Sequence, residues 1–359
     1  MYSRRELGKV ALSAVPAAAA LTMLRGVKAA TRINSNIRGV QMGVAGFSYN
    51  SLPRQGLLDV IVGSMVDAGI GDCLLFAAST EPIELADKAR PARGGGGGGG
   101  GRGMAGGAAG GSGGGQGRAG GFGASGGGGG MGRGGRGPVS PEQAAAIEAL
   151  RQWHLTVPLD YYAGIRKKFN DAGLEINSFD ASIGTSTADE DLNRACEATK
   201  ALGAQFMMCA VTRSVAKRIA PFAEKHDIKV AFQGRPNINS TDSDAMAKPA
   251  DFEEAMGYSK NFGSSIDVGD ATGGGWDALQ FIQDTHSRVF ALNLKDRTKA
   301  NVSMPWGQGD SRIKEILQLV RDKKYPIRCY IDCDYATVEG TTRVADIRRC
   351  MEFARAALA

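Results

Sequence analysis

The stretch SVAKRIAPFAEKHDIKVAFQG, residues 214–234, contains a helix-like segment that leads directly into a strand-like one. In the first part, Val215, Ile219 and Phe222 recur at spacings of four and three, which predicts an amphipathic helix. The second part, residues 229–234, is an apolar run of the length expected for a buried strand, and the charged turn KHD separates the two. A helix followed by a buried strand is the repeating unit of α/β proteins.

The same alternation extends over most of the chain. Roughly 285 residues remain when the two unusual segments described below are set aside, and eight strand-like segments occur among them, most of them separated by helix-like ones. The strand-like segments are residues 39–49, 73–79, 175–184, 205–211, 229–234, 264–269, 289–296 and 327–335. An eightfold repeat over this length predicts an α/β fold of the (β/α)8 TIM barrel type. A doubly wound sheet is the alternative, and eight parallel strands favour closure into a barrel.

Residues 1–30 have the features of an export signal. Arg4 and Arg5 precede an apolar run at residues 10–24, and small residues follow it. The run is short for a membrane span and rich in alanine, which predicts a signal peptide of the twin-arginine type. An amphipathic leader or a retained N-terminal helix is the alternative. We therefore expect a barrel domain at residues 31–359, without a stable membrane span after signal removal, in the periplasm or another extracytoplasmic compartment.

Glycine dominates residues 94–137, where it occupies 29 of 44 positions. Such a segment contains too little apolar surface to offset the entropy cost of ordering its backbone. We therefore expect a disordered, flexible insertion within the barrel, after its second strand. The arginines and glycines of RGGRG at 133–137 offer RNA binding as an alternative, which the small number of arginines and the single phenylalanine disfavour.

The net charge of +6 is concentrated outside the expected barrel. Residues 1–30 contribute +4 and residues 90–136 contribute +6, so the remainder of the chain carries −4. A mildly acidic body does not provide the basic groove of a nucleic-acid-binding protein, and we expect no nucleic-acid partner.

The six cysteines fit neither a dense disulfide framework nor the CxxC spacing of a zinc site. Cys209, Cys329 and Cys333 lie in apolar, strand-like runs. A cysteine in such a run behaves as a small hydrophobic residue, so we expect these three to be buried free thiols.

Polar side chains follow several predicted strands at the point where each strand ends, which is where a barrel of this type places its active site. One polar residue at a strand end is commonly a cap or turn residue. Strands five to eight, however, all end in carboxylates or amides, and each such group costs roughly 1–3 kcal/mol if it is buried without a partner. We therefore expect these groups to converge on each other, a metal, water or a ligand.

Five motifs resemble those of the sugar phosphate isomerase/epimerase-like family, whose barrel is xylose isomerase-like. The motifs are VPLDYYAGIRKKFNDAGLEI (157–176), SIDVGD (265–270), NLKDR (293–297), PWGQGD (305–310) and YIDCDY (330–335). The resemblance covers most of residues 39–359, and exported members with a glycine-rich insert after strand two are similar to this chain. It implies a xylose isomerase-like barrel that acts on a sugar or keto-sugar by metal-assisted proton transfer.

The resemblance also implies a metal site at the ends of strands five to eight. The matching positions here are Gln233, Asp267, Asn293 and Asp332, of which only Asp267 has the usual identity in the family. None of the three histidines falls at the end of a predicted strand. Ligation by oxygen alone suits Mg²⁺, Mn²⁺ or Ca²⁺ better than Zn²⁺, and two neutral amides leave the absence of any metal as an alternative.

Gln233 and Asp332 also occupy the positions that the resemblance assigns to catalysis. Relatives are thought to move a proton between carbons with two carboxylates. Gln233 has no titratable proton, and Asp332 is one methylene shorter than the usual glutamate. Asp270 or Glu81 is therefore an alternative partner in proton transfer.

A further group of residues is predicted to bind substrate, namely Glu81, Asp270, Lys295, Arg297 and Trp306. Lys295 and Arg297, together with Asp296, bind a sugar hydroxyl or a phosphate in one interpretation and form a salt-bridge network at the rim in the other. Trp306 either stacks on the face of a sugar or packs its own loop.

Three classes of function follow from these observations. The first is an exported sugar isomerase or epimerase with a small carbohydrate substrate. The second is a catalytically impaired relative that binds carbohydrate without turnover, because three of the four expected metal positions are substituted. The third is a metal-dependent nuclease, suggested by fold relatives alone and disfavoured by the acidic body and the lack of metal-binding histidines.

Overall fold

A computed structural model of the chain describes residues 31–90, 139–234 and 242–359. The predicted signal peptide and the predicted glycine-rich insertion lie outside these ranges. Eight parallel strands form the centre of the fold, and they are numbered β1 to β8 in chain order. Their bounds are Val40–Ala45, Asp72–Phe76, Glu175–Asp180, Phe206–Cys209, Lys229–Phe232, Phe262–Asp267, Val289–Leu294 and Arg328–Ile331. Each of the eight predicted strands is confirmed, with its ends shifted by a few residues.

The strands close into a barrel. Each strand pairs in parallel with the next one along the chain, and β8 pairs in parallel with β1, so this part of the sheet has no open edge. The predicted TIM barrel is confirmed, and the doubly wound alternative is wrong. Closure brings the carboxyl ends of all eight strands to one mouth.

Eleven α-helices lie in the described ranges and surround the barrel, numbered α1 to α11. Their bounds are Leu57–Ala68, Ile83–Ala89, Pro141–Thr156, Leu159–Asp171, Asp189–Ala201, Arg213–Lys225, Pro249–Gly257, Val268–Gly273, Ala278–Thr285, Ile313–Lys323 and Arg343–Leu358. Within the same ranges, none of these helices is both long and apolar enough to cross a membrane.

Helix α6 illustrates how the sequence pattern produces the outer layer. Its residues Val215, Ala216, Ile219 and Ala223 are buried, at the spacing of three and four that the sequence predicts. This face packs on the barrel, and the chain then turns into β5, whose Val230 is fully buried. The apolar face of the helix is thus what holds it against the strands.

The interior of the barrel is a separate, smaller core, formed by Ala45, Leu74, Phe206, Met208, Ala231, Ala291 and Tyr330. Tyr330 is the largest of these side chains to be fully buried, and glycine at position 43 makes room for its ring. A Cβ atom at Gly43 would lie 2.7 Å from the Tyr330 ring and 2.8 Å from the Asp72 carbonyl oxygen. The position therefore cannot accept a side chain without displacing the neighbouring strands.

The six cysteines are buried and free, as predicted for Cys209, Cys329 and Cys333. The Sγ atoms of Cys333 and Cys350 lie 3.8 Å apart, between the end of β8 and α11. Burial raises the pKa of the Cys329 thiol to about 12, which keeps it protonated and unreactive at neutral pH.

Candidate active site

Three of the predicted site residues point into the barrel because strands alternate. Ala231, Ala291 and Tyr330 belong to the interior core. Side chains two residues apart in a strand share a face, so Gln233, Asn293 and Asp332 project to the same side, one layer nearer the mouth. Asn293 and Asp332 are almost completely buried there.

Asp267 lies beside Asn293, because the two residues are in register on β6 and β7. One carboxylate oxygen of Asp267, Oδ1, accepts a hydrogen bond of 2.9 Å from the Asp270 backbone N–H and caps helix α8. The other, Oδ2, accepts a hydrogen bond of 3.0 Å from the Gln233 Nε2. A carboxylate has no proton to donate, so Gln233 faces Asp267 with its nitrogen rather than its oxygen.

Lys295 lies at the centre of the acidic side chains. Its Nζ is 2.8 Å from Asp267 Oδ2, 3.4 Å from Asp332 Oδ2 and 3.8 Å from Asp334 Oδ2. The ammonium therefore bridges the ends of β6 and β8. We call these residues, together with Arg297 and Asp270, the strand-end cluster.

Arg297 completes the strand-end cluster on the outer side. Its Nη2 donates to Asp334 and lies 3.5 Å from Asp270 Oδ1. Lys295 and Arg297 are thus both engaged by carboxylates, which supports the salt-bridge network predicted as one alternative for these two residues. Two cations facing four carboxylates do not form a phosphate site.

Burial changes the proton affinity of the strand-end cluster. It raises the pKa of Asp332 to about 7, against the opposing effect of the Lys295 charge. Burial and the adjacent charge of Asp267 likewise raise the pKa of Asp270 well above its ordinary range. Burial alone would lower the pKa of Lys295, but the charges of Asp267 and Asp332 outweigh it and raise this pKa well above its ordinary value.

Asn293 lies at the bottom of the cluster and is only partly satisfied. Its Nδ2 is 3.7 Å from the Met208 sulfur, a weak acceptor. Its Oδ1 is buried and has no hydrogen-bond partner among the residues that the structure describes, and the same holds for Asp332 Oδ1. Buried acceptors of this kind normally bind water or a ligand group.

The four positions assigned to a metal do come together, but their arrangement does not fit a divalent cation. A cation bonded to Asp267 and Asp332 would sit about 2.0–2.6 Å from their oxygens. The Lys295 ammonium already contacts both carboxylates, and Gln233 directs a donor toward the same place. Across residues 31–90, 139–234 and 242–359, no group of three or more His, Cys, Asp or Glu side chains is arranged to hold a metal ion.

Glu81 lies at the end of β2 in a separate group. Its carboxylate accepts hydrogen bonds from Arg90 and lies 3.0 Å from Nε2 of His154. His154 belongs to α3, 73 residues further along the chain. The sequence places this histidine inside a helix. Its contact with a strand-end residue could not be predicted from the spacing of residues in the sequence. Both oxygens of Glu81 are engaged by these partners.

Trp306 packs the loop in which it lies. Its indole N–H donates a hydrogen bond of 2.9 Å to the Leu294 carbonyl, and its ring meets that of Phe353 edge to face. Only 8% of Trp306 is exposed, which favours the packing alternative over stacking on a sugar. A stacking ring must present an open face.

The aromatic side chain beside the strand-end cluster is instead Trp276. A small, partly open cleft is lined by Trp276, Phe252, Asp267 and Asp270, among others. Trp276 is half-buried and packs edge to face on Phe281. An aromatic ring next to carboxylates is a common arrangement for binding polyhydroxylated ligands. Trp276 is not among the residues predicted from the sequence.

Asp296, the neighbour of Lys295, has a structural role. Its Oδ2 accepts hydrogen bonds of 2.7 and 3.0 Å from the N–H groups of Gly307 and Gly309, and its Oδ1 accepts one of 3.2 Å from that of Ser311. The carboxylate thus fixes the loop after β7. This anchoring explains why a charged residue is tolerated in a buried position between two site residues.

A second cleft, of about 220 Å³, lies at the opposite end of the strands. It is lined by Arg166, Glu175, Asn177 and Gln205, which belong to or precede the beginnings of β3 and β4. Barrel enzymes place their chemistry at the carboxyl ends of the strands, where the strand-end cluster lies. We therefore assign the candidate active site to the cluster.

The fold is a xylose isomerase-like TIM barrel, and solved structures of this class match it over nearly their whole length. A xylose isomerase domain protein from Alicyclobacillus acidocaldarius is 11% identical with a TM-score of 0.53, and the match covers 88% of this chain and 99% of that one. A sugar phosphate isomerase/epimerase from Parabacteroides distasonis is 14% identical with a TM-score of 0.52, covering 92% and 99%. A D-allulose 3-epimerase from Methylomonas sp. is 10% identical with a TM-score of 0.51, covering 89% and 98%.

No protein-family model matches the sequence, and no curated protein sequence matches it either. At identities of 10–14% the solved structures establish the fold. The activity has to be argued from the strand-end cluster itself.

Proposed function

We propose that the chain is a sugar isomerase- or epimerase-like protein that binds a sugar or keto-sugar at the strand-end cluster. One observation carries the proposal, which is the convergence of Asp267, Lys295 and Asp332 at the carboxyl ends of β6 to β8. This is the place where barrel enzymes bind their substrates. The sugar epimerase and the sugar phosphate isomerase/epimerase among the similar structures lend support at the level of the fold.

The charges of the cluster favour a neutral ligand over a phosphorylated one. Lys295 and Arg297 are both neutralised by carboxylates, so neither cation offers a free charge to a phosphate. Sugar hydroxyls, in contrast, donate to carboxylates and accept from an ammonium. Trp276 provides an apolar ring for the face of the sugar beside Asp270.

Isomerisation or epimerisation next to a carbonyl needs two elements. A base must remove a proton from carbon, and a positive group must stabilise the oxygen that becomes negatively charged. In the proposed mechanism Asp332 removes and returns the proton, and Lys295 faces the oxygen. Asp267 holds Lys295 in place, and Gln233 holds Asp267.

Hydrogen exchange tests this function without requiring knowledge of the product. The purified protein is incubated in ²H₂O with a panel of unphosphorylated aldoses and ketoses, and loss of the C–H signal beside the carbonyl is followed by NMR. We expect exchange with at least one sugar, which Asp332→Asn abolishes and the surface control Asp322→Asn leaves intact. The proposal is refuted if no sugar exchanges and none raises the melting temperature.

A second candidate function is carbohydrate binding without turnover. It is favoured by Gln233, whose amide cannot take up or release a proton during catalysis. The amide instead donates a hydrogen bond to Asp267. In this case a sugar raises the melting temperature but no exchange occurs, and Asp332→Asn weakens binding rather than catalysis. The same panel therefore separates the two candidates.

We also propose that residues 1–30 direct export by the twin-arginine route, which transports folded proteins. The proposal rests on the sequence alone, through Arg4, Arg5 and the short apolar run that follows. Replacing both arginines by lysine keeps the charge and is expected to retain the protein in the cytoplasm. Cell fractionation measures the outcome, and unchanged export of the double variant would contradict it.

A further inference from the structure

The geometry points to Lys295 as a built-in cation that takes the place of a divalent metal, so that we infer a metal-independent site. The inference concerns the same cluster as the proposed function and deepens it. It rests on the position of the ammonium between Asp267 and Asp332, two of the residues whose equivalents are expected to hold a metal.

The number of N–H donors on the Lys295 ammonium matches the number of carboxylates around it. A lysine ammonium has three N–H donors, and three carboxylates lie within 4.0 Å of Nζ, those of Asp267, Asp332 and Asp334. Two of these carboxylates are nearly inaccessible to solvent and would repel each other strongly without a cation between them. Lys295 supplies that cation from within the chain.

The residues at the other two expected metal positions, Gln233 and Asn293, are consistent with Lys295 as the cation of the site. A metal needs electron-pair donors from every direction, but Gln233 directs an N–H group toward Asp267. Asn293, at the remaining position, brings a neutral amide instead of an imidazole or a carboxylate. Neutral partners add no negative charge, so Gln233 and Asn293 do not strengthen the attraction for a divalent ion beyond that of the carboxylates.

The position of Asp334 indicates how a ligand reaches the ammonium. Asp334 is the most distant of the three carboxylates and the most exposed, with 24% of its side chain accessible. It also has a second cationic partner, Arg297. A sugar oxygen can therefore replace Asp334 at Lys295 while Asp334 stays paired with Arg297.

Titration with Mn²⁺ in the absence of any sugar tests the inference. Mn²⁺ binding is followed by electron paramagnetic resonance and by the melting temperature, for the full chain and for Lys295→Met. Methionine has a similar length and no charge. We expect no Mn²⁺-dependent change in the wild-type protein, and at least about tenfold tighter Mn²⁺ binding in the variant, since a like charge at about 4 Å is removed.

Three further variants make the result specific. Lys299→Met, the same substitution at an exposed lysine nearby, is expected to behave like the wild type. Lys295→Arg keeps the charge and is expected to exclude Mn²⁺ as well. The double variant Lys295→Met with Asp267→Asn is expected to lose the gained Mn²⁺ binding, because a carboxylate of the pair is missing.

Two outcomes would overturn the inference. One is Mn²⁺ binding by the wild-type protein that Asp267→Asn abolishes, a measurement that stays decisive even if Lys295→Met does not fold. The other is a folded Lys295→Met variant that binds Mn²⁺ no better than the wild type. Because no sugar is present, neither outcome decides the exchange experiment that tests the proposed function.

Discussion

The Lys295 ammonium lies 2.8 Å from one carboxylate oxygen of Asp267, and both groups are largely shielded from solvent. Removing one charge of such a pair leaves the other buried without compensation, which typically costs roughly 3–5 kcal/mol. We expect Asp267→Asn to lower the free energy of unfolding by about 3 kcal/mol. This value is at the low end of that range because Asp332 and Asp334 still face the ammonium. Urea unfolding followed by circular dichroism measures the change.

Asparagine is chosen at position 267 because its side-chain oxygen can still cap helix α8. The matched control is Asp322→Asn at an exposed site on α10. We expect it to change the free energy of unfolding by less than about 0.5 kcal/mol. A loss at position 267 no larger than that of the control would show that the pair does not stabilise the fold.

The loop after β7 depends on Asp296, which accepts three backbone hydrogen bonds. Asp296→Asn replaces one accepting oxygen by an amide that cannot accept. Because hydrogen bonds to a charged group are worth about 1.5–3 kcal/mol each, we expect a loss of at least about 2 kcal/mol. Calorimetry measures it, and a melting temperature equal to that of the wild type would contradict the assigned role.

Trp306 and Trp276 are predicted to differ in what their removal affects. Trp306→Phe removes the indole donor from the Leu294 carbonyl, which keeps a hydrogen bond of 3.2 Å from the Asp332 N–H. We therefore expect a stability loss of about 0.5–1.5 kcal/mol and no change in sugar affinity. Trp276→Leu keeps an apolar side chain in the cleft and is expected to weaken sugar binding. Thermal unfolding and ligand titration on both variants test the pair, and weaker binding in Trp306→Phe alone would reverse the assignment.

Glu81 is expected to make stability depend on pH in the acid range. Its burial opposes ionisation, but the hydrogen bond from His154 and the charge of Arg90 outweigh it and lower the pKa of Glu81. A lowered folded-state pKa stabilises the protein above the ordinary value of about 4.3 and loses this effect as the pH falls through the folded value. We expect Glu81→Gln to be less stable at pH 7 and to show a flatter profile below about pH 4.3.

The control for this prediction is Glu352→Gln, which lies on the exposed side of α11. Its unfolding free energy should follow the wild-type pH profile. If Glu81→Gln also follows that profile between pH 2 and pH 7, the ion pairs of Glu81 make no net contribution.

The barrel could be predicted because apolar residues recur at different spacings in its strands and in its helices. Val215, Ile219 and Phe222 repeat at the helical spacing, whereas KVAF at 229–232 is a continuous apolar run between two polar segments. The inward direction of Asn293 and Asp332 follows from strand alternation once the strands are known. These properties depend on residues close together in the sequence.

The partners of the site residues could not be predicted in the same way. Lys295 could have extended into solvent at the mouth, and only the three-dimensional positions of Asp267 and Asp332 decide that it folds inward. The contact of His154 with Glu81 joins residues 73 positions apart. Trp306 turns inward because the Leu294 carbonyl and the Phe353 ring lie beneath it. These side-chain directions and contacts depend on tertiary packing, which leaves no periodic pattern in the sequence.

The contacts around Glu81 also have a consequence for how this chain can vary. Arg90 and His154 both bind Glu81, and the side chain of Gln143 donates to the Ala89 carbonyl. Ala89, Ala146 and Leu150 pack together beneath them. Arg90, the last described residue before position 91, and α3, the first helix after position 138, are therefore both bound to the end of β2. Changes in length or composition between these two points need not alter the mouth of the barrel, which makes this junction a suitable place for evolution, or a protein engineer, to add a module.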